Sequence, residues 1–423
     1  MCEMIEPRGP VVGSIRPPGS KSITNRALVC AALADGTSRL SGVLASEDTA
    51  VMVESLRRLG FSLSHNVDAG VCEVTGCGGR VPCESADLFV ANSGTTVRFL
   101  TALVTLGQGH FRLDGIPRMR ERPIVHLLRA LNGLGANARS ELDTECPPVV
   151  VQAAGLPGGT TRVAGDISSQ YLSAMLMVCP FTKSETVVHV EGPLVSTPYV
   201  AMTLEVMRDF GVTVSQDSLH EFRFPSGVAY RATQYDIEPD ASAASYFWAA
   251  AAVTQGKVLV EGLTADALQG DVRFCDCLAQ MGCQVKYLPT GIQVTGSRLK
   301  GIVVDMNDIS DTVLTLAVVA LFAEGPTTIR GVGHIRHKET DRIGDLAREL
   351  RKLGAKVHEL EDGLQIIPGT MKPAVIDTYN DHRMAMSFAI AGLCQSGVAI
   401  NDPGCTAKTY PGFFDDLRKL AKG

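Results

Sequence analysis

The sequence lacks the features that would place this protein on a nucleic acid or in a membrane. Its formal charge is −6, with 39 Lys and Arg against 45 Asp and Glu, so no general basic charge favours a polyanionic partner. Residues 1–18 lack the apolar core of a secretion signal. The longest apolar stretches, such as residues 313–323, are too short to cross a bilayer. We therefore expect a cytoplasmic protein with neither a nucleic-acid nor a membrane partner.

The sequence also lacks a recognisable metal or nucleotide motif. Cys275 and Cys277 are too close for the usual zinc knuckle, and no clear third ligand lies near His334 and His337. The segment around Lys21 does not have the Gly-Lys-Ser/Thr order of a nucleotide phosphate loop. We expect no metal and no organic cofactor, and the twelve cysteines are expected to be reduced and mostly buried thiols.

What the sequence does contain is a six-fold repeat. Five phrases of the type Leu-Arg-Arg-Leu-Gly end in glycines 75, 76, 71 and 72 residues apart, and a truncated copy at residues 417–420 closes the chain. Each phrase is typical of the last turn of an amphipathic helix followed by a C-terminal glycine. The five glycines are Gly60, Gly135, Gly211, Gly282 and Gly354.

A second helix recurs with the same period. It is Ala-rich and apolar on all sides, which is typical of a buried helix, and small polar residues open it. A helix N-terminus attracts anions through its free N–H groups and its dipole, so six candidate anion sites result. The openings lie at residues 20–22, 92–96, 168–170, 240–242, 310–312 and 380–383.

Short β-type runs between the helices complete a β-α-β-α-β-β unit of roughly 70 residues, of subdomain size. A chain of 423 residues favours two or three domains. Six units predict an α/β protein of two domains, each with three units around a pseudo-threefold axis. The number of units alone predicts a domain boundary near residues 230–238, between the third and fourth units.

Arginine, lysine and acidic residues concentrate at five places, at residues 18–26, 92–98, 118–123, 336–342 and 380–383 with Lys408. Packing does not require this charge. The 118–123 cluster fits either a bound dianion or surface ion pairs equally well. Asp311 fits either a helix cap or a catalytic base. Because the cations come from both halves of the chain, we expect a two-domain enzyme that binds small, multiply charged anions in an interdomain cleft, with Asp311 and Glu339 as acid/base candidates.

At these same places the sequence resembles the enolpyruvyl transferase family, specifically the branch that acts on shikimate 3-phosphate. The resemblance runs nearly end to end. Its motifs are Gly19-Ser20-Lys21-Ser22 with Arg26, Asn92-Ser93-Gly94-Thr95, Arg120-Glu121-Arg122-Pro123, Ser168-Ser169-Gln170, Asp305-Met306-Asn307 with Asp311, Lys338-Glu339-Thr340-Asp341-Arg342, Asp381-His382-Arg383-Met384-Ala385 and Cys405-Thr406-Ala407-Lys408-Thr409.

The resemblance implies an inside-out α/β barrel in each domain, with the N-terminal strand in the domain of the C-terminal half. The implied domains are residues 1–19 with 235–423, and residues 20–234. It also implies the reaction, in which the 5-hydroxyl of shikimate 3-phosphate attacks the second carbon of phosphoenolpyruvate. The methylene group is protonated, and the tetrahedral intermediate then expels phosphate. No cofactor is implied, and we expect a monomer.

Roles for single residues follow from the resemblance alone. Asp311 is expected to take the hydroxyl proton and Glu339 to exchange the methylene proton, with Lys21 as a third catalytic residue, and Tyr199 and His382 are weaker candidates. Phosphoenolpyruvate is expected to contact Lys21, Gly94, Arg122, Gln170, Arg342, Arg383 and Lys408. Shikimate 3-phosphate is expected to contact Lys21, Ser22, Arg26, Ser168, Ser169, Gln170, Ser196, Asp311 and Lys338.

Three residues depart from the family pattern. Ala91 replaces a usual glycine, Phe99 a usual proline or leucine, and His334 a usual asparagine. Glyphosate competes with phosphoenolpyruvate in this family, so these departures affect the expected inhibitor sensitivity, and we expect inhibition. A rival function is enolpyruvyl transfer to UDP-N-acetylglucosamine, but the cysteine typical of that enzyme is absent from residues 115–123. A non-catalytic anion-binding protein on the same fold is the other alternative.

Overall fold

The computed structural model describes residues 2–422, apart from the side chain of residue 217. These residues form twenty-three strands and twelve α-helices. The strands are β1 Cys2–Met4, β2 Val12–Ile15, β3 Asp35–Ser41, β4 Ser62–Asn66, β5 Val71–Cys77, β6 Ser85–Phe89, β7 Gln108–Asp114, β8 Ala138–Ser140, β9 Val149–Ala154, β10 Gly159–Ala164, β11 Thr186–Glu191, β12 Ser215–Ser218, β13 Glu221–Phe224, β14 Gln234–Asp236, β15 Lys257–Glu261, β16 Gln284–Leu288, β17 Gly291–Thr295, β18 Val303–Asp305, β19 Thr327–Arg330, β20 Lys356–Leu360, β21 Gly363–Ile367, β22 Ala374–Ile376 and β23 Val398–Asn401.

The helices alternate with these strands. They are α1 Lys21–Leu33, α2 Glu47–Arg58, α3 Gly94–Val104, α4 Val125–Gly133, α5 Ser169–Val178, α6 Thr197–Asp209, α7 Ala241–Thr254, α8 Phe274–Gln280, α9 Val313–Val319, α10 Gly344–Lys352, α11 His382–Gly392 and α12 Phe413–Lys422. Short 3₁₀ segments lie at Pro117–Glu121, Cys179–Phe181, Gly270–Arg273, Asn307–Thr312, Ala320–Phe322, Gly333–His337 and Pro403–Lys408.

The element order confirms the predicted repeat. Five successive groups run β-α-β-α-β-β, beginning with β2, β6, β10, β14 and β18, and the sixth ends with α12. The five repeat glycines follow α2, α4, α6, α8 and α10, and all have φ between 87° and 112°. Only glycine adopts this left-handed conformation without a Cβ penalty, so each one terminates its helix as predicted.

The described chain divides into two compact units. One contains the residues up to Pro18 and those from Glu238 onward, and the other is Gly19–Ile237. The leading strands of the first and fourth repeats are exchanged between the units: β2 pairs in parallel with β15, and β14 pairs in parallel with β3. The exchange explains why two chain segments connect the units.

Each unit contains three sheets with helices packed on them. The sheet orders in the Gly19–Ile237 unit are β14-β3-β5-β4, β6-β7-β9-β8 and β10-β11-β13-β12. In the other unit they are β16-β17-β15-β2, β18-β19-β21-β20 and β1-β23-β22. Each four-stranded sheet has one parallel pair, at one edge, and its other two pairs are antiparallel.

The apolar helices form the core of each unit. Every residue of α3 and α7 is buried, as are all residues of α5 except the intermediate Gln170. Helices α7, α9 and α11 pack pairwise on one another, and α3 packs on both α1 and α5. Burying all sides of these helices requires three to pack together, and their polar first turns then lie at the edge of the core. No helix within residues 2–422 is both long and apolar enough to cross a bilayer.

Candidate active site

The first turn of α1 places Lys21 beside an acidic partner. Ser20 caps the helix by accepting a hydrogen bond from the N–H of Ile23. Lys21 follows immediately, and its Nζ lies 3.4 Å from Oδ2 of Asp48, with both side chains largely buried. Sequence reasoning missed Asp48, because its position in the first turn of α2 is equally typical of a helix-stabilising acid. The ion pair holds a positive charge at a helix N-terminus.

Arg26 lies within the core one turn further along α1. Its guanidinium is only 1% exposed, and it donates to Oγ1 of Thr203 at 2.7 Å and to the backbone oxygen of Ser22 at 2.8 Å. Further bonds reach Ser173 Oγ and the Tyr199 carbonyl, both at 3.2 Å. Burial lowers the pKa of Arg26 to about 10, which leaves it charged at neutral pH. Arg26 therefore fixes the backbone around Ser22 as well as supplying charge.

Phe99 is part of the same packing. Its ring is fully buried, and the Arg26 guanidinium lies over it at 5.3 Å from the ring centroid. This is cation–π geometry. The unusual phenylalanine thus contacts the arginine side chain from within the core.

Gly94 and Arg122 form the tightest contact among the predicted phosphoenolpyruvate residues. The Arg122 guanidinium donates to the backbone oxygen of Asn92 at 2.9 Å and to its Oδ1 at 3.2 Å. A Cβ added to Gly94 would lie 2.6 Å from Arg122 Nη2 and 2.9 Å from Arg98 Nη1. Only glycine allows both guanidinium groups to approach this helix N-terminus so closely. Ala91, where a glycine is usual, has φ of 48° and is therefore strained.

Gln170 is held by Arg98, the charged residue of the 92–98 cluster, for which the sequence indicated no individual role. Arg98 Nη1 donates to Gln170 Oε1 at 2.6 Å, and its guanidinium lies 5.2 Å from the Tyr171 ring centroid. Ser168 caps α5 by accepting from the N–H of Gln170 at 3.3 Å, and Ser169 is buried. The Ser168-Ser169-Gln170 motif thus opens a buried helix with its amide side chain oriented by an arginine.

Ser196 precedes α6 in a strained conformation. Its φ is 53° and it is 4% exposed, an arrangement that recurs at functional sites because the surroundings must hold it. Tyr199, in the first turn of α6, contributes its backbone oxygen to Arg26.

The arginine cluster at 118–123 divides into two parts. Arg118 pairs with Glu121 at 2.7 Å, and Arg120 pairs with Asp114 at 2.6 Å, both with substantial solvent exposure. Only Arg122 is buried, at 3% exposure. Arg118 and Arg120 therefore form surface ion pairs, and Arg122 is the candidate of this cluster for binding an anion.

In the other unit, Asp311 lies among three cations. Its carboxylate accepts from Arg383 Nη2 at 2.8 Å and from Arg342 Nη1 at 3.2 Å, and Lys338 Nζ lies 3.8 Å away. No side chain caps α9. The N-cap position of α9 is Thr312, and the Asp311 carboxylate faces these cations.

Arg342 is the centre of this cluster. It is 1% exposed and forms a bidentate pair with Asp381 at 2.7 and 3.1 Å. A further ion pair joins Arg342 Nη2 to Glu339 Oε2 at 2.8 Å. Burial opposes the charge, but Asp381, Glu339 and Asp311 outweigh it and raise the pKa of Arg342. One guanidinium therefore links the two acid/base candidates, Asp311 and Glu339.

Asp381 also orients Arg383. It caps α11 by accepting from the N–H of Arg383 at 2.9 Å, while Arg383 Nη1 lies 3.4 Å from the Tyr246 hydroxyl. Neighbouring His382 is buried, with Nδ1 3.6 Å from Asp381 Oδ1. Lys408 is 7% exposed on a 3₁₀ segment that packs against α11. The sequence placed Asp381 at a helix opening, in the 380–383 charge cluster and in a family motif, but did not indicate that it pairs with Arg342.

The histidine that departs from the family pattern is neutral at ordinary pH. Burial, and then the nearby charge of Lys338, lowers the pKa of His334 to about 4. Within residues 2–422 there is no cluster of three or more His, Cys, Asp or Glu side chains that could hold a metal ion. All twelve cysteines have free thiols, and seven of them are buried.

Comparison with known proteins agrees with these features. The profile of the family described as EPSP synthase (3-phosphoshikimate 1-carboxyvinyltransferase) matches residues 5–417. The chain belongs to the EPSP synthase family. It is 50% identical to the 3-phosphoshikimate 1-carboxyvinyltransferase of Nostoc punctiforme over 406 residues, which cover 96% of this chain and 95% of that one. The Trichormus variabilis protein of the same name is 48% identical over 412 residues, 97% of each chain.

Structural comparison confirms the predicted fold class. The structure of the EPSP synthase from Acinetobacter baumannii matches with a TM-score of 0.82 at 26% identity, covering 99% of this chain and 98% of that one. Membership of the EPSP synthase family therefore rests on both sequence and fold.

Proposed function

We propose that this protein transfers the enolpyruvyl group of phosphoenolpyruvate to the 5-hydroxyl of shikimate 3-phosphate, releasing phosphate and 5-enolpyruvylshikimate 3-phosphate. The observation that carries the chemistry is Asp311, a carboxylate held by two arginines and linked through Arg342 to Glu339. Two acid/base groups among fixed cations suit a reaction that moves two protons between anionic substrates. The family match along 5–417 supports the same reaction.

Phosphoenolpyruvate carries a phosphate and a carboxylate, and the proposed contacts are mainly permanent cations. Arg122 lies against Gly94, and Arg342 and Arg383 are buried beside Asp311. Arginine presents planar paired donors that match carboxylate and phosphate oxygens. The full proposed set is Lys21, Gly94, Arg122, Gln170, Arg342, Arg383 and Lys408.

Shikimate 3-phosphate combines one phosphate and one carboxylate with ring hydroxyls, so its proposed site is richer in serine. Ser168 and Ser169 open the buried helix α5, and Ser196 precedes the partly buried helix α6, where hydroxyls and N–H groups together suit a phosphate. Arg26 has four hydrogen bonds to protein oxygens, which points to a role in shaping this site. The full proposed set is Lys21, Ser22, Arg26, Ser168, Ser169, Gln170, Ser196, Asp311 and Lys338.

In the proposed addition step, the substrate hydroxyl oxygen bonds to the second carbon of phosphoenolpyruvate while its proton passes to Asp311. Protonated Glu339 gives its proton to the methylene carbon, which becomes a methyl group. In the elimination step the carbon–oxygen bond to phosphate breaks, and Asp311 gives the proton that it took from the hydroxyl to the leaving phosphate oxygen. Glu339 takes a proton back from the methyl group, so both carboxyl groups return to their starting states. Holding two mutually repelling anions in reacting geometry supplies much of the rate, since effective molarities can reach about 10⁵–10⁸ M.

The test is a product assay on the purified chain with both substrates. Phosphate release and a product carrying the enolpyruvyl ether are expected with shikimate 3-phosphate. Phosphate release only when UDP-N-acetylglucosamine is the acceptor would favour the rival transferase. No phosphate release with either acceptor would favour a non-catalytic anion-binding protein. We also propose that the protein is a monomer, since one chain supplies every proposed site residue. Its proposed location is the cytoplasm. Sedimentation tests the oligomeric state, and cell fractionation tests the location.

Variants separate the proposed roles. Asp311→Ala should lower kcat by at least a hundredfold with little effect on the KM for phosphoenolpyruvate, because general base catalysis typically contributes about 10²–10⁴ in rate. Lys21→Met should raise that KM as well, because it removes charge from substrate binding. Turnover of Asp311→Ala within a few-fold of the unsubstituted protein would exclude Asp311 as the base.

A further inference from the structure

A buried carboxyl group with no role in the proposed mechanism lies next to the Asp311 cluster. Asp271 is 4% exposed, in the 3₁₀ segment Gly270–Arg273. Its carboxylate accepts a hydrogen bond from the hydroxyl of Ser242, in the first turn of α7. The preceding Gln269 fixes the same helix end: its side-chain oxygen accepts from the N–H of Ala241 at 3.0 Å, and its amide donates to the Pro239 carbonyl at 2.6 Å.

Two connections lead from Asp271 to Asp311. The 3₁₀ segment with Asp271 packs against the 3₁₀ segment Asn307–Thr312, which contains Asp311. Tyr246 lies one turn beyond Ser242 on α7, so the two side chains share a helix face. The Tyr246 hydroxyl is 3.4 Å from Arg383, and Arg383 binds Asp311 at 2.8 Å. One face of α7 thus contacts both Asp271 and the arginine that holds Asp311.

We propose that Asp271 is a positioning residue that acts through Asp311: when Asp271 is ionised, its negative charge raises the proton affinity of Asp311 and makes Asp311 a better base. The inference rests on the proposed role of Asp311 in enolpyruvyl transfer. Transfer of the hydroxyl proton to Asp311 removes one of two neighbouring negative charges. An ionised Asp271 therefore favours the transition state, whereas a neutral Asp271 does not.

The electrostatic surroundings place this ionisation in the working pH range. Burial, and then the charge of Asp311, raises the pKa of Asp271 to about 7, although the Ser242 hydrogen bond and Arg383 oppose the rise. Among the other charged groups nearby, Asp240 at the start of α7 adds to the rise. Glu238 accepts from the amide of the neighbouring Gln269 at 3.2 Å. Arg273, on the same 3₁₀ segment, pairs at the surface, bonded to Asp308 at 3.3 Å and lying 4.0 Å from Asp276. The interaction between Asp271 and Asp311 is mutual, so the charge of each carboxylate raises the proton affinity of the other.

The experiment measures kcat and both KM values between pH 5.5 and 9 for the unsubstituted protein and Asp271→Asn. The unsubstituted protein should show kcat rising through about pH 7, as Asp271 ionises. Asparagine is neutral at every pH, so Asp271→Asn should lose that rise and have kcat about tenfold lower at pH 8.5, equivalent to about one pKa unit of coupling. Both KM values should stay within about twofold.

Two further variants make the result specific. Ser242→Ala removes a donor that favours ionised Asp271, so the rise in kcat should move to higher pH. Asp276→Asn is the matched control, because it makes the same chemical change on the exposed side of the adjoining helix, with the Asp276 side chain 55% exposed. Its pH profile should equal that of the unsubstituted protein. If Asp271→Asn does not fold, the Ser242→Ala shift decides the question.

The possible failures are distinguishable. An Asp271→Asn protein that retains the rise near pH 7, or that loses activity equally at every pH, overturns the role of Asp271 alone. An unshifted profile in Ser242→Ala does the same. An unsubstituted protein that forms no product from shikimate 3-phosphate overturns the proposed function and this inference together. Carbon-13 NMR of labelled aspartate gives an activity-independent measurement: one carboxyl group should titrate near pH 7 and be missing in Asp271→Asn, and its presence in that variant also overturns the inference.

Discussion

Single side chains in this protein have several charged neighbours at once, and their behaviour depends on the sum. Arg342 illustrates this, because three carboxylates surround it and keep it charged although it is buried. Removing one member of such a group leaves its partners uncompensated in a low dielectric, which is far more costly than at the surface. Substitutions at residue scale should therefore have effects that depend on the whole cluster.

Gly94→Ala tests the close approach of two arginines to α3. The new methyl group would lie 2.6 Å from Arg122 Nη2, so the guanidinium must move. Overpacking of this kind costs roughly 1–3 kcal/mol. We expect the unsubstituted protein to be inhibited by glyphosate. In the variant, the inhibition constant should rise by roughly 5- to 100-fold, and by more than the KM for phosphoenolpyruvate rises.

The matched control for this prediction is Gly9→Ala, because a Cβ at Gly9 meets nothing within 4 Å. Inhibition constants measured against varied phosphoenolpyruvate should be the same for this control and for the unsubstituted protein. A resistant unsubstituted protein would show that Ala91 or Phe99 has already reshaped the site. An equal inhibition constant in Gly94→Ala would show that Arg122 relaxes without cost.

His334 makes stability depend on pH. Its pKa falls to about 4 in the folded chain because burial, and then Lys338, disfavours the imidazolium, while the unfolded chain has an ordinary value near 6.5. Between these values the unfolded chain binds a proton that the folded chain does not, so stability falls as the pH falls from about 6.5 to 4. His334→Asn should remove this loss, improving stability relative to the unsubstituted protein by roughly 1–3 kcal/mol at pH 4.5 compared with pH 7.5.

Denaturant unfolding at the two pH values measures this difference. The exposed His220 provides the control, since His220→Asn should change stability equally at both. A pH-independent effect of His334→Asn would mean that the imidazole has the same pKa in the folded and the unfolded chain.

At the scale of the element, α10 positions the loop that leads into α11. Glu349, on α10, is fully buried and accepts from the Tyr379 hydroxyl at 2.6 Å and from the N–H of Asp377 at 3.0 Å. Tyr379 and Asn380 both have left-handed φ angles, of 53° and 55°. Two successive non-glycine residues in this region are strained. The Glu349 hydrogen bonds hold that strain in place just before Asp381 and Arg383.

Glu349→Gln should therefore destabilise both the loop and the site. It turns one acceptor oxygen into a donor group and removes the charge that pairs with Lys352 at 2.8 Å. The free energy of unfolding is expected to fall by about 1–3 kcal/mol. The KM for phosphoenolpyruvate should rise, because the loop that positions Arg383 is no longer held in place. Thermal unfolding and kinetics measure the two effects. The control is Glu359→Gln, which breaks a part-exposed pair with Arg351 and should cost less than about 1 kcal/mol. Equal effects of the two substitutions would contradict the role given to Glu349.

At the scale of the whole molecule, the proposed ligands of one substrate pair come from both units of the chain. Lys21 and Arg122 belong to Gly19–Ile237, whereas Lys338, Arg342 and Arg383 belong to the other unit. Unliganded cations repel one another, and a bound dianion neutralises that repulsion. If the proposed ligand sets are right, we expect binding to favour a conformation in which residues of both units contact the ligands.

We expect shikimate 3-phosphate together with glyphosate to reduce the radius of gyration measured by small-angle scattering. Inorganic phosphate at the same ionic strength is the control and should leave it unchanged, because it has only one of the anionic groups of the ligand pair. An unchanged radius with the ligand pair, at concentrations where calorimetry shows binding, would contradict the expected closure.

Much of this protein is encoded locally in its sequence. The repeat glycines, helix caps and apolar helices predicted the β-α-β-α-β-β order because caps and periodicity depend on residues a few positions apart. The resemblance of the charged motifs identified the family for the same reason. The exchange of β2 and β14 between sheets was not predictable from these local signals, because a strand of three or four residues carries too little pattern to select its partner.

The tertiary structure alone decided which charged residues belong together. Arg118, Arg120 and Arg122 are alike in sequence, yet only Arg122 is buried. Asp311 faces two arginines 31 and 72 residues away, and the N-cap of α9 is its neighbour Thr312. Asp48 and Asp271 gave no distinctive signal, because their partners come from other elements. Helix formation depends on neighbours along the chain, whereas charge, burial and proton affinity depend on neighbours in space, and folding alone determines those.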